Sequence, residues 1–204
     1  MTGSGKEKII EALETLMETK SFDRIRTKEI VELAGVNKTT FYYYFDSKED
    51  IINSKIEEIC EKLDHLRQIW PHFQSMESAE EKEKALFAKE ERRMTQEWFQ
   101  ILYDERKHVA VIDRSKFCAR FYEKMVEIYA RFPRDIGTID FSIGSAITLN
   151  NMRCQYLYDA AVAFVMSHLR TWIHRNFEES PEELTRILLE DYKIVRNLNM
   201  QEHG

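Results

Sequence analysis

Apolar residues recur at spacings of three and four along much of the chain, the pattern of amphipathic helices. Several of these stripes begin just after a Ser followed three residues later by an acid, a pairing that satisfies free backbone N–H groups at a helix start. Ser4 with Glu7 precedes the stripe Ile9, Ile10, Leu13, Leu16 and Met17, and Ser47 with Asp50 precedes Ile51, Ile52, Ile56, Ile59, Leu63 and Leu66. Ser78 with Glu81, and Ser180 with Glu183, mark two more starts. In the last of these, Pro181 takes the first helical position, where its missing N–H costs nothing.

Between the first two stripes lie two much shorter elements. Thr27 caps a segment of about two turns ending at Ala34, with Ile30, Leu33 and Ala34 turned inward. Gly35 suits the left-handed residue that stops a helix, and Val36 plugs the turn. Asn37 then caps a second short helix, Lys38–Phe45. Two short helices joined by a tight glycine turn form a helix-turn-helix pattern, although plain helical hairpins share it. Phe41 and Phe45 stand four apart and face the core, which leaves Lys38, Thr39, Tyr42 and Tyr43 mainly on the outer side. An outer face of ammonium, hydroxyl and phenol groups offers donors to phosphates and base edges.

The rest of the chain reads as further helices. Ala79 to Tyr103 is helical in pattern with a break near Met94-Thr95, and Asp113 to Phe132 is another helix. Residues 133–151 have no clear period and read as a long connection. Gln155 to Phe177 is apolar nearly all round between Tyr156 and Met166, so it needs cover on more than one side. The final stripe, Leu184, Ile187, Leu188 and Tyr192, supplies a neighbour, and a pair of such helices from each of two chains makes a four-helix bundle, the alternative being burial of both faces within one chain. The candidate subunit contacts are Tyr158, Ala161, Val165, Leu169, Trp172, Leu184, Ile187 and Leu188.

Composition supports helices: of 204 residues only 6 are Gly and 3 are Pro. The net charge of −6 speaks against nucleic acid for the chain as a whole, but a short recognition element needs only a local positive field. No apolar leader or membrane-length run is present, so a cytoplasmic protein without membrane contact is expected. Cys60, Cys118 and Cys154 are far apart and form no CxxC, which fits reduced thiols. His168 and His174 fall on different helix faces, and Pro71 separates His65 from His72, so no metal site is expected. Phosphate-binding glycine loops, HExxH and Gx-Ser-xG are absent, so neither an enzyme nor a cofactor is expected.

The stretch from Thr27 to Ile51, TKEIVELAGVNKTTFYYYFDSKEDI, resembles the DNA-binding domain of the tetracycline-repressor (TetR) family. The likeness lies in the Ala-Gly-Val turn, the polar pair after it, the aromatic cluster ending in Phe45, and Lys48-Glu49. It implies an all-α fold: a three-helix DNA-binding domain over 1–50, then a larger helical effector and dimerisation domain over 51–204. The resemblance implies a phosphate contact for Thr27, with Asn37 opening the recognition helix. It places Lys38, Thr39 and Thr40 in the major groove. Tyr42 and Lys48 clamp phosphates, and Tyr43 and Tyr44 lie against backbone or bases. Many relatives have smaller residues at Thr39 and His at Tyr44, so the bases contacted differ. A homodimer on a palindromic operator follows, with release by a small hydrophobic or aromatic effector. Trp98, Phe99, Tyr103, Phe117, Phe121 and Met125 are the candidate pocket walls. Control by a protein partner on the same fold is the alternative, which a closed, well-packed interior would favour.

Overall fold

A computed structural model describes residues 4–69, 81–131 and 152–201. All regular elements among them are helical: α1 Gly5–Thr19, a 3₁₀ turn Phe22–Arg24, α2 Thr27–Ala34, α3 Lys38–Tyr44, α4 Lys48–Gln68, α5 Glu81–Asp104, α6 Arg106–Asp113, α7 Cys118–Tyr129, α8 Met152–His174 and α9 Pro181–Gln201. The Ser78 start and the 133–151 connection lie outside the described residues.

Two compact units are present. One takes the residues up to Ile59 together with Glu105–Phe121, and the other takes Cys60–Asp104 with the residues from Tyr122 on. The boundary expected at residue 50 therefore falls within the first unit, which also takes in α6.

In the first unit, Ser4 accepts from the Glu7 N–H at 3.4 Å while the Glu7 carboxylate accepts from the Ser4 N–H at 2.7 Å. The stripe behind this cap is buried at Ile9, Ile10, Leu13 and Met17. α2 starts at Thr27 as its first helical residue, with Arg26 in the capping position and its N–H donating to Glu29 at 2.9 Å. Thr27 is thus not the cap. The inward face of α2 is Ile30, Val31 and Ala34, whereas Leu33, read as inward, is 39% exposed. Eight residues make only two turns, and the face rotates with small changes in where the helix begins. Gly35 ends α2 at φ +64°. Phe41 and Phe45 are buried, as the four-residue spacing requires. α3 ends one residue earlier than read, with Phe45 extended.

α6 was not legible as a separate helix. The helix expected from Asp113 starts later, as α7 at Cys118, and α6, ending at Asp113, precedes it. Between them the Ser115 hydroxyl donates to the Ile112 carbonyl at 2.7 Å and accepts from the Phe117 N–H at 3.1 Å. Those local bonds replace the helical ladder.

In the second unit α5 runs through Met94 and Thr95 without a break, because Met94 is fully buried and anchors the turn. Its Trp98 and Phe99 join Tyr129 and Trp172 in ring contacts of 5.8 and 5.7 Å, and Tyr103 stacks on Trp172 at 6.0 Å. α8 stops where Asn176 and Phe177 turn to positive φ, and Phe177 folds back onto Trp172 at 4.8 Å. α9 opens with the reciprocal Ser180–Glu183 bonds of 3.2 and 2.9 Å behind Pro181.

Candidate nucleic-acid interface

α3 is held from behind and open in front. Phe41 is 0% exposed and Phe45 2%, so the helix cannot roll without emptying the core. The opposite face carries Lys38 and Thr39, both exposed, with Tyr42 at 57% and Tyr43 at 80% exposure. Tyr44 is 37% exposed, and its ring meets Tyr43 edge-on at 4.8 Å. Tyr42 is braced in the same way against Phe41 at 5.3 Å. Braced phenols lose little freedom on binding, so they make a preformed contact surface.

Two of the polar groups have structural duties. The Asn37 side-chain oxygen accepts from the Thr40 N–H at 2.7 Å and from the Thr40 hydroxyl at 3.0 Å. Asn37 therefore caps α3 and sets the hydroxyl orientation of the half-buried Thr40. The Lys48 ammonium, expected at a phosphate, donates to the carbonyls of Phe22 at 2.8 Å, Ile25 at 2.8 Å and Asp23 at 3.4 Å. It also lies 4.5 Å from the centre of the Phe22 ring. Thr27 stands half-buried at the start of α2, beside the exposed Arg26.

Gly5 went unnoticed in the sequence. A Cβ there would meet Tyr44 Cε2 at 3.0 Å and Thr40 Cγ2 at 3.2 Å. The missing side chain lets the start of α1 lie directly behind two candidate contact residues. Nothing in the local pattern marks it, since the approach joins residues far apart in the chain.

The six aromatic and Met residues read as pocket walls are divided between the two units. Phe117 belongs to the first unit and meets Phe22 edge-on at 5.7 Å, and Phe121 belongs there too. Trp98, Phe99, Tyr103 and Met125 belong to the second unit. Trp98, Phe99, Phe121 and Met125 are 0 to 2% exposed, the condition of core residues. The second unit has a groove of about 570 Å³ between α7 and α8, lined by Tyr122, Val126, Val162, Met166 and Arg170 among others. Arg170 lies over the Tyr122 ring at 5.0 Å.

The residues read as subunit contacts are largely used within one chain. Val165, Leu169, Trp172, Leu184 and Leu188 are at most 7% exposed, so their apolar faces are already covered. Ala161 and Ile187 are half-buried, and the Tyr158 side chain lies outside the described residues. α5 and α9 pack together, which gives α9 a cover within the chain. A furrow of about 340 Å³ remains between α8 and α9, bordered by Ser167, Thr171 and Ile187. Across it His168 bonds Asp191 at 3.0 Å.

Among the described residues no helix is long and apolar enough to cross a membrane, and no group of His, Cys, Asp and Glu has a metal-holding arrangement.

Residues 9–54 match the family described as bacterial regulatory proteins, tetR family. A curated relative, the HTH-type transcriptional regulator EthR of Mycolicibacterium smegmatis, is 36% identical over 56 residues. That match spans 28% of this chain and only 26% of the relative. Similar folds extend much further. A transcriptional regulator of the TerR/AcrR family from Aquifex aeolicus VF5 superposes with a TM-score of 0.61 at 22% identity, covering 94% of this chain and 99% of that one. The dihydroxyacetone kinase operon activator DhaS gives 0.57 at 16% identity over 93% and 97% of the two chains. These relatives are regulators rather than enzymes. Residues 9–54 thus carry the helix-turn-helix segment of the tetR family of bacterial regulatory proteins, on a fold that the two solved regulators share over nearly their whole length.

Proposed function

We propose that the chain is a sequence-specific DNA-binding regulator that enters the major groove with α3. The observation that carries this reading is the two-sidedness of α3. Phe41 and Phe45 lock one face into the core, and Lys38, Thr39, Tyr42 and Tyr43 stand free on the other. An exposed row of phenols costs solubility unless it meets a partner, and a duplex offers phosphates and base edges that match its donors. Thr27, Thr40 and Tyr44 flank that row.

A homodimer completes the site, since two recognition helices about 34 Å apart enter successive major grooves of a palindrome. The furrow bordered by Ser167, Thr171 and Ile187 offers a second chain a surface on α8 and α9. Release by a small hydrophobic effector is supported by the apolar groove between α7 and α8, with Arg170 and Asp159 as its charged groups. The buried Trp98 indole N–H, which has no acceptor among the described residues, also suits a ligand carrying one. Control by a protein partner is the second reading, favoured by the closed ring cluster of Phe99, Tyr103, Trp172 and Phe177. The effect on transcription follows from operator position, and the fold is shared with the operon activator DhaS.

The test is fluorescence anisotropy with duplexes from the DNA beside the gene. The unaltered chain is expected to bind one of them as two chains per duplex. Tyr43→Ala and Lys38→Ala are expected to lose that preference while melting unchanged, because exposed substitutions shift stability by only about 0.5 kcal/mol. Full retention of preferential binding by both variants would refute the reading.

A further inference from the structure

We propose that Lys48 is a positioning residue for DNA binding and not a phosphate ligand: its ammonium ties the turn between α1 and α2 to the start of α4 and so fixes where Thr27 stands. The proposal rests on the DNA-binding reading above. An ammonium has three N–H donors, and Lys48 has three carbonyl acceptors, Phe22 and Ile25 at 2.8 Å and Asp23 at 3.4 Å. Two of these bonds are part-buried. The face of the Phe22 ring covers the ammonium at 4.5 Å. Phe22 is itself 3% exposed and seated edge-on against Phe117. Lys116 lies 5.6 Å from the same ring and pairs with Glu49 at 3.3 Å, so a second cation already shares that ring.

To reach a phosphate, Lys48 would abandon all three carbonyls, giving up two part-buried bonds; the Phe22 carbonyl would keep only the Ile25 N–H at 3.1 Å. Charge-assisted bonds in such a place outweigh one more exposed ion pair. The tie has a direct consequence for the interface. Ile25 is two residues before Thr27, and only Arg26 separates the held carbonyl from the first residue of α2. Holding Ile25 therefore sets the entry of the chain into α2, which aims the Thr27 hydroxyl and the free N–H groups of that first turn.

Anisotropy across a salt series tests this, using a duplex selected by the unaltered chain from a random pool. A cation that neutralises a phosphate contributes about 0.9 to the log–log salt slope per subunit. Lys48→Met is expected to weaken binding roughly tenfold at every salt concentration, leaving the slope unchanged. Thr27→Ala, which weakens the unaltered chain, is expected to cost less than about twofold in the Lys48→Met background, because the aim of Thr27 is already lost. Lys48→Gln keeps an N–H donor without charge and is expected to recover part of the affinity. It also serves if Lys48→Met fails to fold. A slope reduced by about 0.9 per subunit in either variant, or additive effects of Lys48 and Thr27, would overturn the assignment while leaving the DNA reading intact. An unaltered chain that selects no duplex would remove the DNA reading and this role together.

Discussion

Asn37 and Lys48 both carry groups that a duplex would accept, and in both the fold gives the group to its own backbone. The residue types were readable from the sequence, but their partners were not, because the Lys48 acceptors lie more than twenty positions earlier in the chain. The same limit hid Gly5, whose role exists only against Tyr44 and Thr40. Residue chemistry also gives the first unit an acid sensitivity. The Lys20 ammonium beside Glu29 holds its carboxyl below the usual range, helped by the Arg26 N–H. A lowered folded-state value means that this tie between the end of α1 and α2 is in force above the ordinary carboxylate range. It is lost as acid protonates Glu29. An NMR titration is expected to place the Glu29 midpoint below that of an ordinary glutamate, and Lys20→Met to raise it. A midpoint that ignores Lys20 would contradict the tie.

At the scale of elements, legibility followed the number of turns. α1 and α9 were readable to their first residue because a reciprocal Ser–Glu cap and a long stripe agree. α2 was placed correctly but faced wrongly at Leu33, since two turns give the period little to fix. α6 and the Ser115 interruption were missed because the stop is made by side-chain bonds rather than by Gly or Pro. The turn between α2 and α3 was legible through Gly35 alone. Its φ of +64° is a left-handed conformation, and open space surrounds the position where a Cβ would stand. Gly35→Ala is therefore expected to cost about 1–2 kcal/mol through the backbone only, read by urea denaturation, with Gly35→Asn milder. Equal stability of the alanine variant would show that the turn relaxes freely.

At the scale of the whole chain, the inward and outward faces of α3 were legible in the sequence, whereas the burial of the candidate effector and subunit residues was not. Phe41 and Phe45 announce themselves by spacing, whereas Leu169 and Trp172 are apolar residues whose cover could equally come from this chain or another. The central claim is that the outer face of α3 reads DNA, and selection of bound duplexes from a random pool tests it most directly. The account predicts enrichment of one two-fold-symmetric motif, with half-sites about one helical turn apart, and loss of that motif with Tyr43→Ala. A correctly folded chain that enriches no motif, or a Tyr43→Ala variant that enriches the same motif equally well, would contradict it.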